Sequence, residues 1–452
     1  MSVKMTMNDG QMAAYRLLQH FVDHPSADTF VLMGYAGTGK TFLVQQLAQW
    51  LQANQYEFSL LASTGRAATV LRGKTGLTAK TVHSHLYQFE ELVEAQLTLS
   101  FALREPEKGK RIYIIDESSM LSNLPPKDPG IATFGSGRLL DDLFAHAKGH
   151  KVIFVGDPGQ LPPVSETGSP ALDLDWLLRQ QRTTLTATLE KIERTGQDND
   201  ILTLAGRIRG MAAKGRPKLP AARLRDVELF SGDKRLFQHY VNRFKDYGPQ
   251  HTVAIARSNR MVSIINRALR RDLHQQLDRP LQPEEVLLVT QNNPGARLTN
   301  GDFVQAAGIG QVVLHAGLHF QEVRIRSLVT GAEQDMLLSL DILYGKEQNF
   351  SREQQQRLMA DFNRRMKHIA LKPNTAEYND RMRTDRYMNC LRARYGYAVT
   401  CHKAQGGEWD HVYLFLEESM YRMPADEMLR WWYTAVTRAK KRLHLTHRDW
   451  IA

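Results

Sequence analysis

Cysteine is nearly missing from this chain. Cys390 and Cys401 are the two among 452 residues, which rules out a disulfide framework and points to a reducing compartment. Zinc is poorly supported too. Cys390, Cys401 and His402 fit no usual finger spacing and have no evident fourth ligand, and His83 and His85 are not a metal pair by spacing alone. No apolar run approaches the length of a membrane span. Met1 to Thr6 lacks the apolar core of a signal peptide, so a cytoplasmic location is expected. There is no internal repeat and no low-complexity tract. Acidic residues are in short supply: 48 Asp and Glu stand against 59 Lys and Arg, a formal charge of +11 with a pI near 9.5. That balance favours a polyanionic partner, nucleic acid first and an acidic membrane surface second. The length suggests about three domains.

What the chain does have is Gly34-Tyr-Ala-Gly-Thr-Gly-Lys40-Thr41, which matches the P-loop pattern G-x-x-x-x-G-K-[ST]. Phe30 to Met33 suits a buried parallel strand before it. Phe42, Leu43, Val44, Leu47, Trp50 and Leu51 repeat at helical spacing after it. In such a loop Gly34, Gly37, Thr38 and Gly39 let backbone N–H groups approach phosphates, Lys40 reaches the β- and γ-phosphates, and Thr41 ligates Mg²⁺. The chain is expected to bind a nucleotide with Mg²⁺.

Further buried-type strands follow at 58–64, 111–116 and 151–157, each with polar or glycine residues at its C-terminal end, where a parallel sheet carries its ligand. Residues 97–104 alternate with period two, inside a stretch from Tyr87 to Lys110 that suits a hairpin insertion. A second strand–helix series is expected from near Thr183, with strands at 252–256, 397–400, 411–416 and 443–445. It is interrupted between Asn300 and Gly396 by short strand-like runs, as in a small β-barrel, and then by a charged helical part. Ser351 with Gln354 resembles a capping box there.

Asp116-Glu117 ends the third strand. Asp116 is placed to hold Mg²⁺ and Glu117 to polarise the attacking water. Gly156 to Pro163 forms a stiff loop in which Gln160 orients that water or senses the γ-phosphate; the alternative is an ordinary proline-rich loop. Phosphoryl transfer gains from cations at the developing charge, and Arg194 and Arg438 are candidates. Either arginine taken singly also suits a solvated surface position.

Taken in order, these motifs resemble superfamily 1 helicases, most closely the branch of phage Dda and RecD-type helicases. The specific stretches are Gly156–Pro163, Thr400–Glu408 and Tyr433–Ala439, with Asn8–Gln11 similar to the upstream glutamine motif. The resemblance covers nearly the whole chain. It implies an α/β fold: two RecA-like parallel-sheet P-loop motor domains, a small hairpin insertion in the first, and an SH3-like β-barrel plus helical insertion in the second. The expected divisions are 1–182 for the first motor domain with a pin at 87–110, 183–299 and 396–452 for the second, and 300–395 for the insertion.

By motif match, the resemblance implies that Gln11 reads adenine and Glu408 contacts ribose. Gln160, Arg194 and Arg438 would contact the γ-phosphate, Arg438 as arginine finger. Some family members carry an adenine-stacking aromatic just before the Arg194 position; here it is Glu193. Thr64, Arg66 and His83 would contact nucleic acid in the first domain, and Thr400 and His402 in the second. Phe101 is either a duplex-splitting wedge or a buried hairpin residue. The implied nucleotide is ATP, and the implied activity is ATP-driven DNA unwinding, five-prime to three-prime. The implied partners are single-stranded DNA and single-strand/duplex junctions, with single-strand-binding or repair proteins as further candidates, no membrane, and a monomeric state. The competing readings are a translocase that remodels nucleoprotein or recombination intermediates without unwinding, and a P-loop kinase or small-molecule NTPase.

Overall fold

A computed structural model describes residues 7–93, 98–125, 132–192, 199–275, 280–293, 296, 298–373, 375–446 and 451–452. Arg194 and Glu193 lie outside the described residues.

The first sheet has six strands in the order Ala79–Thr81, Glu57–Ala62, Arg111–Asp116, Lys151–Gly156, Thr29–Gly34, Thr184–Leu189. Every pairing is parallel. Its central strands are continuous apolar runs because helices cover both faces. One face buries Phe30, Leu32, Leu43, Leu47 and Leu51, and the other buries Val31, Tyr113, Ile115 and Phe154. The second sheet has five strands, Val227–Phe230, Ala439–Thr446, Trp409–Phe415, Thr252–Ala256 and Ala398–Thr400, again all parallel.

The structure differs from the expected divisions at two places. Thr184–Leu189 pairs with Thr29–Gly34 and is the edge of the first sheet, not the start of the second series. Its threonines alternate with apolar residues, as suits a half-exposed edge, so it lacks the apolar run of its neighbours. Val286–Val289 pairs with Phe303–His315 and Ala393–Tyr395, so the inserted sheet begins well before residue 300. A wholly buried apolar strand does not reveal which sheet it joins.

The inserted sheet runs Glu333–Ser339, Leu318–Ser327, Phe303–His315, Val286–Val289, Ala393–Tyr395, antiparallel throughout. A bridge between Leu338 and Leu391 brings its two ends together. Helices Arg352–His368 and Ala376–Thr384 follow. The first begins with the expected capping box: Ser351 Oγ accepts the Gln354 N–H and Gln354 Oε1 accepts the Ser351 N–H.

The hairpin is present as Tyr87–Val93 and Thr98–Leu103, with a third strand, Ala132–Phe134, added in parallel. Phe89 packs against the core of the two inserted helices, and Arg383 lies over its ring at 5.3 Å. The hairpin of the first parallel-sheet unit thus rests on the insertion of the second.

Candidate active site

The strands of the first sheet deliver Gly34, Asp116 and Gly156 to one edge. Between Gly34 and the helix Lys40–Ala53 the chain must turn sharply, and Gly37 and Gly39 do so at φ 82° and 84°, a region costly for other residues. A side chain at Gly34 would lie 2.7 Å from Thr38 Oγ1. Lys40 Nζ donates to the carbonyls of Gly34 (2.7 Å) and Tyr35 (3.2 Å), which holds the amine over the loop.

Beside the loop, the Thr41 side chain stands by the Asp116 carboxylate and favours its charged form. Burial raises the Asp116 pKa, against the pull of the Glu117 N–H, Lys40, Lys74 and Thr41. Burial also raises Glu117, helped by the Asp116 charge and opposed by Arg438 and Lys40. Glu117 sits at φ 53°, a left-handed conformation that a non-glycine residue adopts at a cost and that concentrates at functional sites. A carboxylate with a raised pKa next to a lysine and a threonine suits proton transfer from water. The hydroxyl–carboxylate pair of Thr41 and Asp116 suits a hard cation such as Mg²⁺.

The second unit closes this edge. Leu161 N–H donates to Thr434 Oγ1 (2.8 Å), and Gln405 Nε2 donates to Leu161 O (3.1 Å). Tyr433 Oη accepts the Ala36 N–H (2.9 Å) and donates to Asp157 Oδ2 (2.8 Å). Gln160, 4% exposed, leaves its Oε1 without a hydrogen-bond partner among the described residues. An orphaned buried carbonyl oxygen at this edge fits the role of accepting a hydrogen from a bound water. Tyr433, Thr434 and Gln405 lie within the motifs quoted above, but no role was attached to them. The available signal was their place beside Arg438 and in the 400–408 loop.

Arg438 is 5% exposed, and its charge favours the ionised form of Glu117, opposing the rise that burial causes. Its guanidinium is held by its own unit: Nε to Thr434 O (3.0 Å), Nη1 to Gly407 O (3.3 Å) and Nη2 to Thr437 Oγ1 (3.1 Å).

Matches to known families follow this geometry. Residues 6–216 match an AAA domain model, and residues 395–446 match a UvrD-like helicase C-terminal domain model. The ATP-dependent RecD2 DNA helicase of Deinococcus radiodurans is 27% identical over 419 residues, 91% of this chain and 46% of that protein. The ATP-dependent DNA helicase Pif1 of Bdellovibrio bacteriovorus is 35% identical over 150 residues, 32% of this chain and 31% of that one. The chain is similar to superfamily 1 helicases of the RecD- and Pif1-like branch. The same fold occurs in a Bacteroides Pif1 helicase solved with ADP-AlF3 and single-stranded DNA. That structure has a TM-score of 0.52 at 14% identity and covers 98% of this chain and 93% of that one. Pif1 helicase from Candida albicans gives 0.50 at 15% identity, covering 99% and 95%. The chain spans less than half the length of the curated relatives it matches across most of its residues.

Other expected site residues make contacts within the protein. Gln11, expected at adenine, has its amide engaged by protein. Its Oε1 accepts the Asn8 N–H (3.1 Å) in a capping box, and its Nε2 donates to Thr38 O (3.0 Å). It therefore ties the first helix to the P-loop. Glu408 is exposed, and its charge acts on Arg66. Arg66, expected on nucleic acid, is inserted into the second unit, its guanidinium 4.2 Å from the Trp409 ring centre and 4.9 Å from that of Phe303. Gly407 makes room for it, since a Cβ there would lie 2.4 Å from Arg66 Cζ. Burial lowers the Arg66 pKa to about 10, with Asp302 opposing. Thr64 caps the helix Gly65–Thr75 by accepting the Ala67 N–H (3.2 Å).

His83 packs edge-on to Phe134 at 5.8 Å, and burial holds its imidazole below the ordinary range. Phe101 stacks on Phe134 at 4.8 Å and meets Phe89 edge-on at 5.7 Å, so its ring packs within the hairpin sheet. Thr400 and His402 are half-buried at the start of the helix Cys401–Ala404; the Thr400 side chain makes no cap bond there, and burial lowers the His402 pKa. Cys390 and Cys401 sit in different cores.

Proposed function

We propose that this chain is an ATP-dependent DNA helicase that moves on single-stranded DNA, five-prime to three-prime, and engages single-strand/duplex junctions. The observation that carries the reading is the divided site. Lys40, Thr41, Asp116 and Glu117 belong to the unit of one parallel sheet, and Tyr433, Thr434 and Arg438 to the unit of the other, with Asp157 and Leu161 bonded across. A site built this way changes when the units move, which converts phosphoryl chemistry into motion. The names of the matched relatives, RecD2 and Pif1 DNA helicases, support the same reading.

In this scheme Lys40 holds phosphate, Thr41 and Asp116 hold Mg²⁺, and Mg²⁺ supplies charge neutralisation at the phosphates. Glu117 takes the proton from water, Gln160 orients that water, and Arg194 and Arg438 supply cations from the facing side. Thr400 and His402 contact the DNA backbone. The motor units are 7–189 and 199–275 with 396–446, and the inserted sheet from 286 to 395 is an SH3-like barrel, which the Leu338–Leu391 bridge supports.

Unwinding of duplexes carrying a five-prime or a three-prime tail tests activity and polarity together. Five-prime tails alone should support unwinding, and ATP turnover should rise with added single-stranded DNA. Turnover indifferent to DNA would defeat the proposal. The packed position of Phe101 favours one alternative, a translocase that strips or remodels without separating strands. Translocation by a wild type that never unwinds either substrate would establish it.

A further inference from the structure

Tyr433 lies on the helix Ala425–Val436, and its hydroxyl joins three pieces of the cleft. It accepts the Ala36 N–H of the P-loop and donates to Asp157, whose other oxygen accepts the Gly159 N–H (2.9 Å). The ring packs on Gly159, where an added Cβ would lie 3.1 Å from Tyr433 Cε1. Burial and the Asp157 carboxylate push the phenol well above its ordinary pKa, so it remains a donor.

A backbone N–H carries one proton. Ala36 belongs to the loop whose amides cradle phosphate oxygens, so a phosphate and Tyr433 have the same donor in reach. We propose that Tyr433 is a positioning residue that latches the second motor unit onto the P-loop, in competition with nucleotide phosphate for the Ala36 amide. The proposal rests on the reading of this cleft as the nucleotide site. When the Ala36 N–H turns to phosphate, Tyr433 keeps its bond to Asp157 alone. The tie between P-loop and second unit is then released beside Gln160, the residue that orients water.

Y433F removes the oxygen and keeps the ring against Gly159. In nucleotide-free protein, hydrogen exchange read by mass spectrometry should quicken in a peptide spanning 34–38 and stay as in wild type across 252–256. Affinity for a non-hydrolysable ATP analogue should rise roughly 2- to 10-fold, the scale of one net hydrogen bond. Unchanged exchange at 34–38 would overturn the latch. Faster exchange there with unchanged or weaker analogue binding would overturn the competition. Faster exchange in both segments would mark the hydroxyl as a general support of the fold and overturn the proposal. The exchange arm needs no nucleotide. If wild type binds no analogue, the nucleotide-site reading fails while exchange still decides the latch.

Discussion

Arg66 of the first motor unit places its guanidinium 4.2 Å from the ring centre of Trp409 in the second. A cation on an aromatic face contributes about 0.5–2 kcal/mol, more when desolvated, and here the contact joins the two parallel-sheet units. Arg66→Ala should therefore weaken the coupling of DNA binding to ATP turnover, with DNA-stimulated turnover falling several-fold. Binding of a single-stranded oligonucleotide should keep its salt dependence. A residue on a DNA phosphate would instead reduce the slope of log affinity against log salt by about 1 when removed. A slope change of that size in the Arg66 variant would restore it to the DNA interface.

Both parallel sheets were legible in the sequence because buried parallel strands are continuous apolar runs, and 30–33, 111–116, 151–155 and 252–256 are such runs. Edge strands were not. Thr184–Leu189 alternates, and Val227–Phe230 is four residues with a charge inside, so neither stands out from its flanks. At the site, Lys40, Thr41, Asp116 and Glu117 were readable because each belongs to a short motif at the C-terminal end of a strand, the loop after Thr29–Gly34 for two and the end of Arg111–Asp116 for the others. The roles of Gln11 and Arg66 were not. Both are polar residues in the expected motifs, and what they bond is set by distant parts of the chain: Thr38 for one, Phe303 and Trp409 for the other. Spacing along a chain does not encode a partner 27 residues away, as for Gln11, or one in another unit, as for Arg66.

Arg438 is buried with three of its five N–H donors on Thr434, Gly407 and Thr437. Arg438→Ala then has two separable effects. Removing a cation from the cleft should cut turnover at saturating ATP on the order of 10³-fold or more, as for an arginine finger. Freeing buried acceptors should cost about 1–3 kcal/mol of stability. Comparing kcat with the thermal midpoint separates them. A lower midpoint with near-normal kcat would make Arg438 a structural residue of the 400–408 loop.

Phe101 stacks between Phe134 and Phe89 within the hairpin sheet. Phe101→Ala should lower stability by about 1–3 kcal/mol, less than a fully buried aromatic because the ring is partly exposed. Translocation along single strands should persist. Unwinding should fall only in proportion to loss of the folded hairpin, so Phe101→Leu, which refills much of the volume, should recover it. Unwinding abolished in both variants at unchanged stability would show a wedge role.

Acid should destabilise the fold through two buried histidines. His444, 2% exposed, is pushed down to about 2 by burial, with His239, His411, Arg243 and Arg442 adding to it. His85, 8% exposed, is pushed down to about 4, chiefly by burial. The unfolded chain binds these protons near pH 6.5 and the native state does not. Their contribution is complete above pH 6.5. It falls by about 1.4 kcal/mol per pH unit for each group below that, until pH approaches the folded value. Thermal midpoints should therefore decline steadily between pH 6.5 and 4.5. His444→Asn, which keeps a donor toward Glu228 Oε2 (3.0 Å from Nδ1 in the native side chain) and cannot titrate, should flatten that decline by about half. An acid limb of equal slope in the variant would show that His444 takes up its proton in the folded state.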